Sequence, residues 1–525
     1  MTDMENSDSG APGTAAEKKQ PIVDLKSKPD QLHEYREEEG YVVDVDSEDA
    51  DAGLKLAKDG HTRLIPQPSD DPNDPLNWSW WKKHIILLVI SWTAFTPDYG
   101  SAAGAAVLIA QATEWGMSPD HVNRSQAGNV AMLGFGGVVA VLLVAYFGRL
   151  PVSFWFILLS AATAAWCAAA NTFESFMAAR ILNGFFSTIM QVVGLIFIND
   201  IFFFHEKARK INVWAGFFVM SPYVGPLFSS FIVTTQHWSA AFWLYFAMVA
   251  SALLLIIAFL PETYYDRTIP ASEQPKGSHI SDLIGISQWK SRHQRNTFGQ
   301  AIWRTVSVVM KPTVLLACLF YVLTFAWAVG INTTLAILMS GPPYEFGAKQ
   351  TGFFYFTPVV AVTIAEIVGH YLYDFIAKQY IRSHKGHFEP EVRLRATFFA
   401  MPFVIVGLVL IGQGFANTWH YMGLSVVWGM YVFGMMITTV ALSSYCLDSY
   451  PEASGEVSAW LNFARTLGGF IISYFQVSWF TARGPAESFG IQAAICAASM
   501  IIIVILLKWG KAMRLWAGPL KFVTS

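Results

Sequence analysis

Charge is scarce in this chain and cysteine scarcer still. Asp, Glu, Lys and Arg make up 14% of the 525 residues, against 54% hydrophobic residues that include 40 Phe and 19 Trp. That balance excludes an ordinary soluble protein of this size. Cys167, Cys318, Cys446 and Cys496 all stand inside apolar runs at wide spacings, which argues against a disulfide framework or a zinc site and leaves them as packing residues. No phosphate-binding glycine loop followed by Lys-Ser/Thr is present, which disfavours an ATP-driven pump. The "HKGH" at His384 to His387 stands without the further histidine clusters that a dimetal enzyme requires. No enzyme activity, metal, cofactor or nucleic-acid partner is expected. A basic n-region followed by an apolar core is also missing at the N-terminus, so the first membrane span is expected to serve for targeting.

What is abundant is apolar sequence in long runs. From His84 onward they recur at 84–110, 126–147, 151–170, 175–201, 209–233, 239–260, 312–339, 350–377, 395–416, 419–448, 455–480 and 487–507. Each can cross ~30 Å of hydrocarbon at ~1.5 Å rise per residue. Because backbone polar groups cannot stay unpaired in lipid, these runs predict an all-α membrane protein of twelve transmembrane helices rather than a barrel. The net charge of −3 hides a split: residues 1–80 carry 19 acidic and 8 basic side chains, the remainder 19 and 27. Residues 1–80 read as an acidic cytosolic tail, disordered up to Asp71 because it cannot bury enough surface to offset its chain entropy. Residues 81–260 and 312–510 form two six-helix halves, 261–311 a central cytosolic loop, and 511–525 a short cytosolic tail. Within the loop, residues 280–310 are basic and punctuated by Trp, either as an interfacial helix or as a solvated linker.

Lys and Arg crowd one set of loops (Lys82, Lys83, Arg149, Lys207, Arg209, Lys210, the 267–311 segment, Lys378 to Arg395). The opposite set holds little more than Arg124, Lys349 and Arg483. Basic loops face the cytosol, so both termini are expected there. The "NRS" sequon at Asn123 then falls outside, in the loop between spans 1 and 2, as a candidate glycosylation site. Six plus six spans suggest internal duplication with the substrate near the midplane between halves. Asp200 with Glu206 and Asp448 with Glu452 stand at corresponding ends of spans 4 and 10. Arg149 and Asp374 mark the connections after spans 2 and 8, where a charge can pair across to a neighbouring helix and hold one conformation closed.

An ionisable side chain deep in a membrane is expensive, so each is by default functional. Asp98 lies ~20 Å from the cytosolic end of span 1 and Arg180 ~7 Å in from the opposite side on span 4, which gives similar depth. An ion pair between them is either a proton relay, poised between loss of hydration and attraction to arginine, or a static pair that fixes helix packing. Glu366 on span 8 and Arg465 on span 11, with Asn462 on the same face, either line the cavity of the second half or satisfy one another. Asn183, Gln191, Tyr223, Asn332, Tyr355 and Tyr431 complete the expected substrate cavity, and Trp327 and Phe356 are further aromatics able to meet an organic or cationic substrate through their ring faces.

Several stretches carry a resemblance. "DPNDPLNWSWWKKH" is similar to a "DPxNPxNW" motif, "ARILNGFFS" to an "RxxxG" pattern, and "SPYVGPLFSS" to "GPxxGPxxGG". In these motifs the chain resembles the major facilitator superfamily, specifically the fungal twelve-span drug:proton antiporter-1 type, over about residues 70–507. "GHYLYDFIAKQYIRSHKGHFEPEVRL" and "YCLDSYPEASGEVSAWLNFARTLGGF" resemble a subgroup with secondary-metabolite efflux pumps and a yeast permease for polyamines and other organic cations. The resemblance implies that Arg180 couples protons and that Pro222, Gly225 and Pro226 form the antiporter motif, by which span 5 bends and packs against span 8. Ser221, Ser229 and Ser230 replace its usual glycines. It implies an inward latch at Gly148 and Arg149, where Ala145 replaces the usual Asp and Leu150 a second basic residue; Asp200, Glu206, Arg209, Asp374 and Asp448 belong to the same gating set. The expected protein is a proton-coupled exporter of a small organic molecule, a monomer in the lipid of the plasma membrane. Proton-coupled uptake of polyamines or other organic cations is the alternative.

Overall fold

The computed structural model describes residues 41–42, 55–57, 64–267, 277–291, 297–384 and 387–518, together with Pro270, Ser272, Gln274 and Leu520. Most of the expected disordered tail, and the middle of "HKGH", lie outside these residues. The tail is not wholly without structure, however. Residues 64–79 run along the bundle, and Tyr41–Val42 pairs antiparallel with His387–Phe388.

Among the described residues, ten helices are long and apolar enough to cross a membrane. Two more, Trp80–Trp115, which carries Asp98, and Ser454–Arg483, which carries Arg465, pack among them. The spans are Trp80–Trp115, Pro119–Phe147, Arg149–Ala169, Phe173–Ser187 continued by Ile189–Ile201, Phe204–Val233 and Ser239–Phe259, then Pro312–Ser340, Ala348–Phe354 continued by Phe356–Ser383, Arg395–Ala416, Tyr421–Ser449, Ser454–Arg483 and Pro485–Ala517. We number them 1 to 12. Span 12 continues to Ala517, seven residues into what composition assigned to a tail. Between the halves, Phe298–Val309 exposes Phe298, Ile302, Trp303 and Val306 on one side and buries Ala301, Arg304, Thr305 and Val308 on the other, the pattern of an interfacial helix rather than a linker.

Span 2 lies against span 11 and span 5 against span 8, and spans 4 and 11 and spans 5 and 10 also meet across the halves. Small residues permit the approach: at Gly469 an added Cβ would stand 2.8 Å from Val329 and 3.3 Å from Val130. With twelve spans both ends of the bundle emerge on one side, the terminal face. Each half repeats one arrangement there. Arg149, opening span 3, pairs with Asp200 at the end of span 4, and Arg393, just before span 9, pairs at 2.9 Å with Asp448 at the end of span 10.

Candidate functional site

Proline inside a helix leaves the carbonyl four residues earlier without its amide partner, and the three such prolines of spans 1 and 5 surround the centre. Pro97 frees the Thr93 carbonyl, which accepts from Thr96 Oγ1 at 3.0 Å; Pro222 frees that of Phe218, which accepts from Ser221 Oγ at 2.8 Å. The serine standing where glycine is usual thus caps the kink. Pro226 frees the carbonyl of Pro222, which accepts from Asn332 Nδ2 of span 7 at 3.1 Å, so one kink is closed by the other half. Gly225 does not meet span 8: an added Cβ would lie 2.5 Å from the Tyr99 carbonyl oxygen and 3.1 Å from the Ala103 amide nitrogen, both of span 1. Span 5 still packs on span 8, but through Gly216 and Ser230.

Pro97 places Asp98 at the centre, where its partner is Arg465 and not Arg180. Arg465 Nη1 donates to Asp98 Oδ2 at 2.6 Å, and both residues are buried (4% and 7% exposed). Gln191 of span 4 completes the group, donating to Asp98 Oδ2 at 2.9 Å and accepting from Arg465 Nη2 at 2.8 Å. Arg465 Nη2 also reaches Asn462 Oδ1 at 2.9 Å, and Asn462 Nδ2 donates to Thr188 Oγ1, at the break in span 4, at 3.1 Å. The Arg465 guanidinium lies between the rings of Phe218 and Phe325, at 5.4 and 5.3 Å. One carboxylate, one guanidinium and two amides therefore bind spans 1 and 4 to span 11, across the halves and away from water.

Arg180 is instead tied to backbone. It donates to the carbonyls of Gly100 and Ser101, between the rings of Phe176 and Phe242, within the first half. Glu366 does not reach Arg465 either. Its carboxylate faces span 5 at Gly216 with Oε2 buried and unpartnered, while its backbone carbonyl accepts from Asn212 Nδ2 at 3.0 Å. Asn183 leaves the expected cavity, since it bonds Ser160, Thr163 and Tyr245 inside the first half. Asn332, Tyr223 and Tyr355 do converge: Tyr355 donates to the Asn332 carbonyl at 2.9 Å, and both tyrosine rings meet Trp428 edge-on. Nothing in the sequence marks Trp428 among 19 tryptophans, and only the fold distinguishes it. Tyr431, one turn on, sets its backbone and Cβ against Gly407 of span 9. Trp327 bonds its own helix at Leu323, and Phe356 is 46% exposed.

At the terminal face Gly148, at φ +96°, turns the chain so that Arg149 meets Asp200. Glu262, after span 6, accepts from the Arg149 and Leu150 amides at 3.1 and 3.2 Å, which sets an acid at the N-terminus of span 3. Arg209 pairs with Asp374 from span 5 to span 8, and Glu206 stands in the first turn of span 5. Sequence reading missed the buried pair Arg304–Glu456, at 2.5 Å, which ties the interfacial helix to span 11.

Asn123 is in helix rather than loop, in the second turn of span 2 and 8% exposed. The expected position in a loop is thereby corrected, and because a glycan needs an accessible sequon the burial argues against a glycan at Asn123. Asn123→Gln should leave electrophoretic mobility unchanged, and a mobility gain like that after glycosidase treatment would contradict the burial.

Cross-half contacts at both faces leave little space at the centre. A cavity of about 40 Å³ touches Asp98, Asn332 and Arg465, and one of about 20 Å³ touches Gln191, Tyr321 and Asn462. These are water-sized, whereas pockets for drug-sized ligands run to roughly 300–1,000 Å³. A vestibule of about 340 Å³ lies at the terminal face, with Arg149 and Lys207 of the first half, Arg304 of the interfacial helix and Glu456 of the second half in its wall. The arrangement is that of a closed bundle with a locked centre.

Residues 87–473 match the family model of the Major Facilitator Superfamily. The chain is 22% identical to Efflux pump FUB11 of Gibberella moniliformis, over 83% of this chain and 74% of that protein. It is also 22% identical to Polyamine transporter 3 of Saccharomyces cerevisiae, over 87% and 73%. Its fold is similar to that of the proton:xylose symporter XylE, with a TM-score of 0.57 at 15% identity, covering 82% of this chain and 96% of that one.

Proposed function

As this chain belongs to the Major Facilitator Superfamily, we propose that it is a proton-coupled secondary transporter that exports a small organic molecule by alternating access. The observation that carries the reading is the buried Asp98–Arg465 pair, made between the halves at the centre of the bundle. Halves that rock apart must stretch or break it. A proton on Asp98 removes its charge and so weakens the lock, and binding shifts the balance of states only through such differential affinity. Arg465, once released, is free to move with span 11. Substrate would enter where Tyr223, Tyr355, Asn332 and Trp428 converge, after the small central cavities widen. The basic terminal face is placed in the cytosol, the membrane is the plasma membrane, and the working unit is the monomer.

The similarity to an efflux pump favours export. Uptake of a polyamine or another organic cation is the second reading, favoured by the unpartnered buried oxygen of Glu366 and by the similarity to Polyamine transporter 3. Growth on toxic polyamine analogues separates the two: expression should protect if the chain exports and sensitise if it imports. Coupling is tested in liposomes under an imposed pH gradient, where substrate flux that ignores the gradient would refute it.

A further inference from the structure

The chain just before span 1 is a folded piece with a buried hub. The Asp74 side chain is wholly buried; Arg267, after span 6, donates to both its oxygens at 2.9 and 3.2 Å. Ser69 donates to it through its amide at 3.0 Å and its hydroxyl at 2.9 Å, and the Leu76 amide at 3.0 Å. Burial opposes the charge on Asp74, yet these bonds hold its carboxyl below the usual carboxylate range. Asn77 Nδ2 fastens the turn to the carbonyls of Ser69 and Asp71, and Lys83 Nζ of span 1 donates to the Leu76 carbonyl at 2.9 Å. All of these anchors belong to the first half or to the loop that leaves it.

The other end of the same piece reaches the second half. The Ile65 carbonyl accepts from the amide of Phe204, the first residue of span 5, at 2.8 Å. The Ile65 side chain, 8% exposed, is buried with Phe204 against Tyr380 at the end of span 8 and Phe388 and Val392 in the connection to span 9. Phe204 and Phe388 stack edge-on at 5.4 Å, and Tyr41–Val42 pairs with the strand that contains Phe388. Ile65 and Pro66 form part of the wall of the 340 Å³ vestibule, between residues of the two halves. If spans 5 and 8 part at this face, Ile65 can remain with only one of them.

We propose that residues 64–78 are a strap that holds the terminal face of the transporter shut, with Asp74 and Arg267 as its fixed end and Ile65 as the releasable end. The inference rests on the alternating-access reading, but it adds a control that lies outside the transport path. Anything that lifts the strap, whether a partner of the preceding acidic segment or its modification, would widen the vestibule without touching Asp98 or Arg465.

The test reads accessibility and needs no substrate. All four native cysteines are buried, so a single reporter thiol, introduced by Ala145→Cys in the vestibule wall, can be labelled with an impermeant reagent applied to the terminal face. Adding Ile65→Asp should speed labelling about tenfold, the population shift expected when burial of one aliphatic side chain no longer favours the closed state. Phe388→Ser, which alters the second half's side of the contact, should do the same. The double variant should gain little over either single one, since both remove one interaction. Ile65→Val should label at the parental rate. If Ile65→Asp and Phe388→Ser both leave the reporter labelling at the parental rate in monodisperse protein, the strap does not hold the face shut. That result would leave the proton-coupling reading intact, and loss of coupling elsewhere would not alter the labelling rates.

Discussion

Asp98→Asn, reconstituted in liposomes under a pH gradient, will equilibrate its substrate without accumulating it. The substitution keeps the shape of the side chain and an oxygen facing Arg465 Nη1, so the contact at 2.6 Å across the halves can survive as a neutral hydrogen bond. What disappears is the exchangeable proton. A pH difference of one unit is worth about 1.4 kcal/mol per proton, or about tenfold accumulation for one-to-one coupling. The wild type should approach that ratio and the variant should remain near unity with a flat pH profile. Arg465→Ala is expected to be harsher, because removing one member of a buried pair costs about 3–5 kcal/mol by stranding the other; Gln191 alone would then face Asp98. If Asp98→Asn accumulates substrate at the wild-type rate with the same pH dependence, coupling passes to Glu366, whose Oε2 is buried without a partner.

Gly225→Leu will abolish transport while the protein still inserts. The first added carbon alone would meet the Tyr99 carbonyl oxygen at 2.5 Å and the Ala103 amide nitrogen at 3.1 Å. Both are backbone atoms and cannot swing aside, so spans 1 and 5 must move apart. Overpacking a tight contact costs about 1–3 kcal/mol or more. The displacement falls one turn from Asp98 on span 1 and on the kink whose freed Pro222 carbonyl is closed by Asn332. Gly225→Ala should show the same defect in weaker form, because it adds the clashing atom and nothing beyond. Transport by Gly225→Leu at normal rate and abundance would mean that the two helices do not need this approach.

Twelve spans, the division into halves and the family were legible in the sequence because they depend on one-dimensional quantities: the length of apolar runs, the position of loops and the spacing of prolines and glycines. The depth of a charged residue is likewise set by helical rise, so Asp98, Arg180 and Arg465 were recognisable as buried. Their partners were not. Arg180 reaches span 1 at nearly the expected depth but meets Gly100 and Ser101, and two residues along a helix is about 200° around it. The face that Asp98 presents toward span 11 is fixed by helix packing across 367 residues of chain, which no local pattern encodes. The same limit applies at the terminal face, where Glu262 meets the start of span 3 and Ile65, in a segment composition marks as tail, is buried with Phe204 and Phe388. Sequence by itself determined which residues must be buried in a membrane and at what height. Only the tertiary structure decided what each one faces, because azimuth and neighbours follow from how all the helices pack at once.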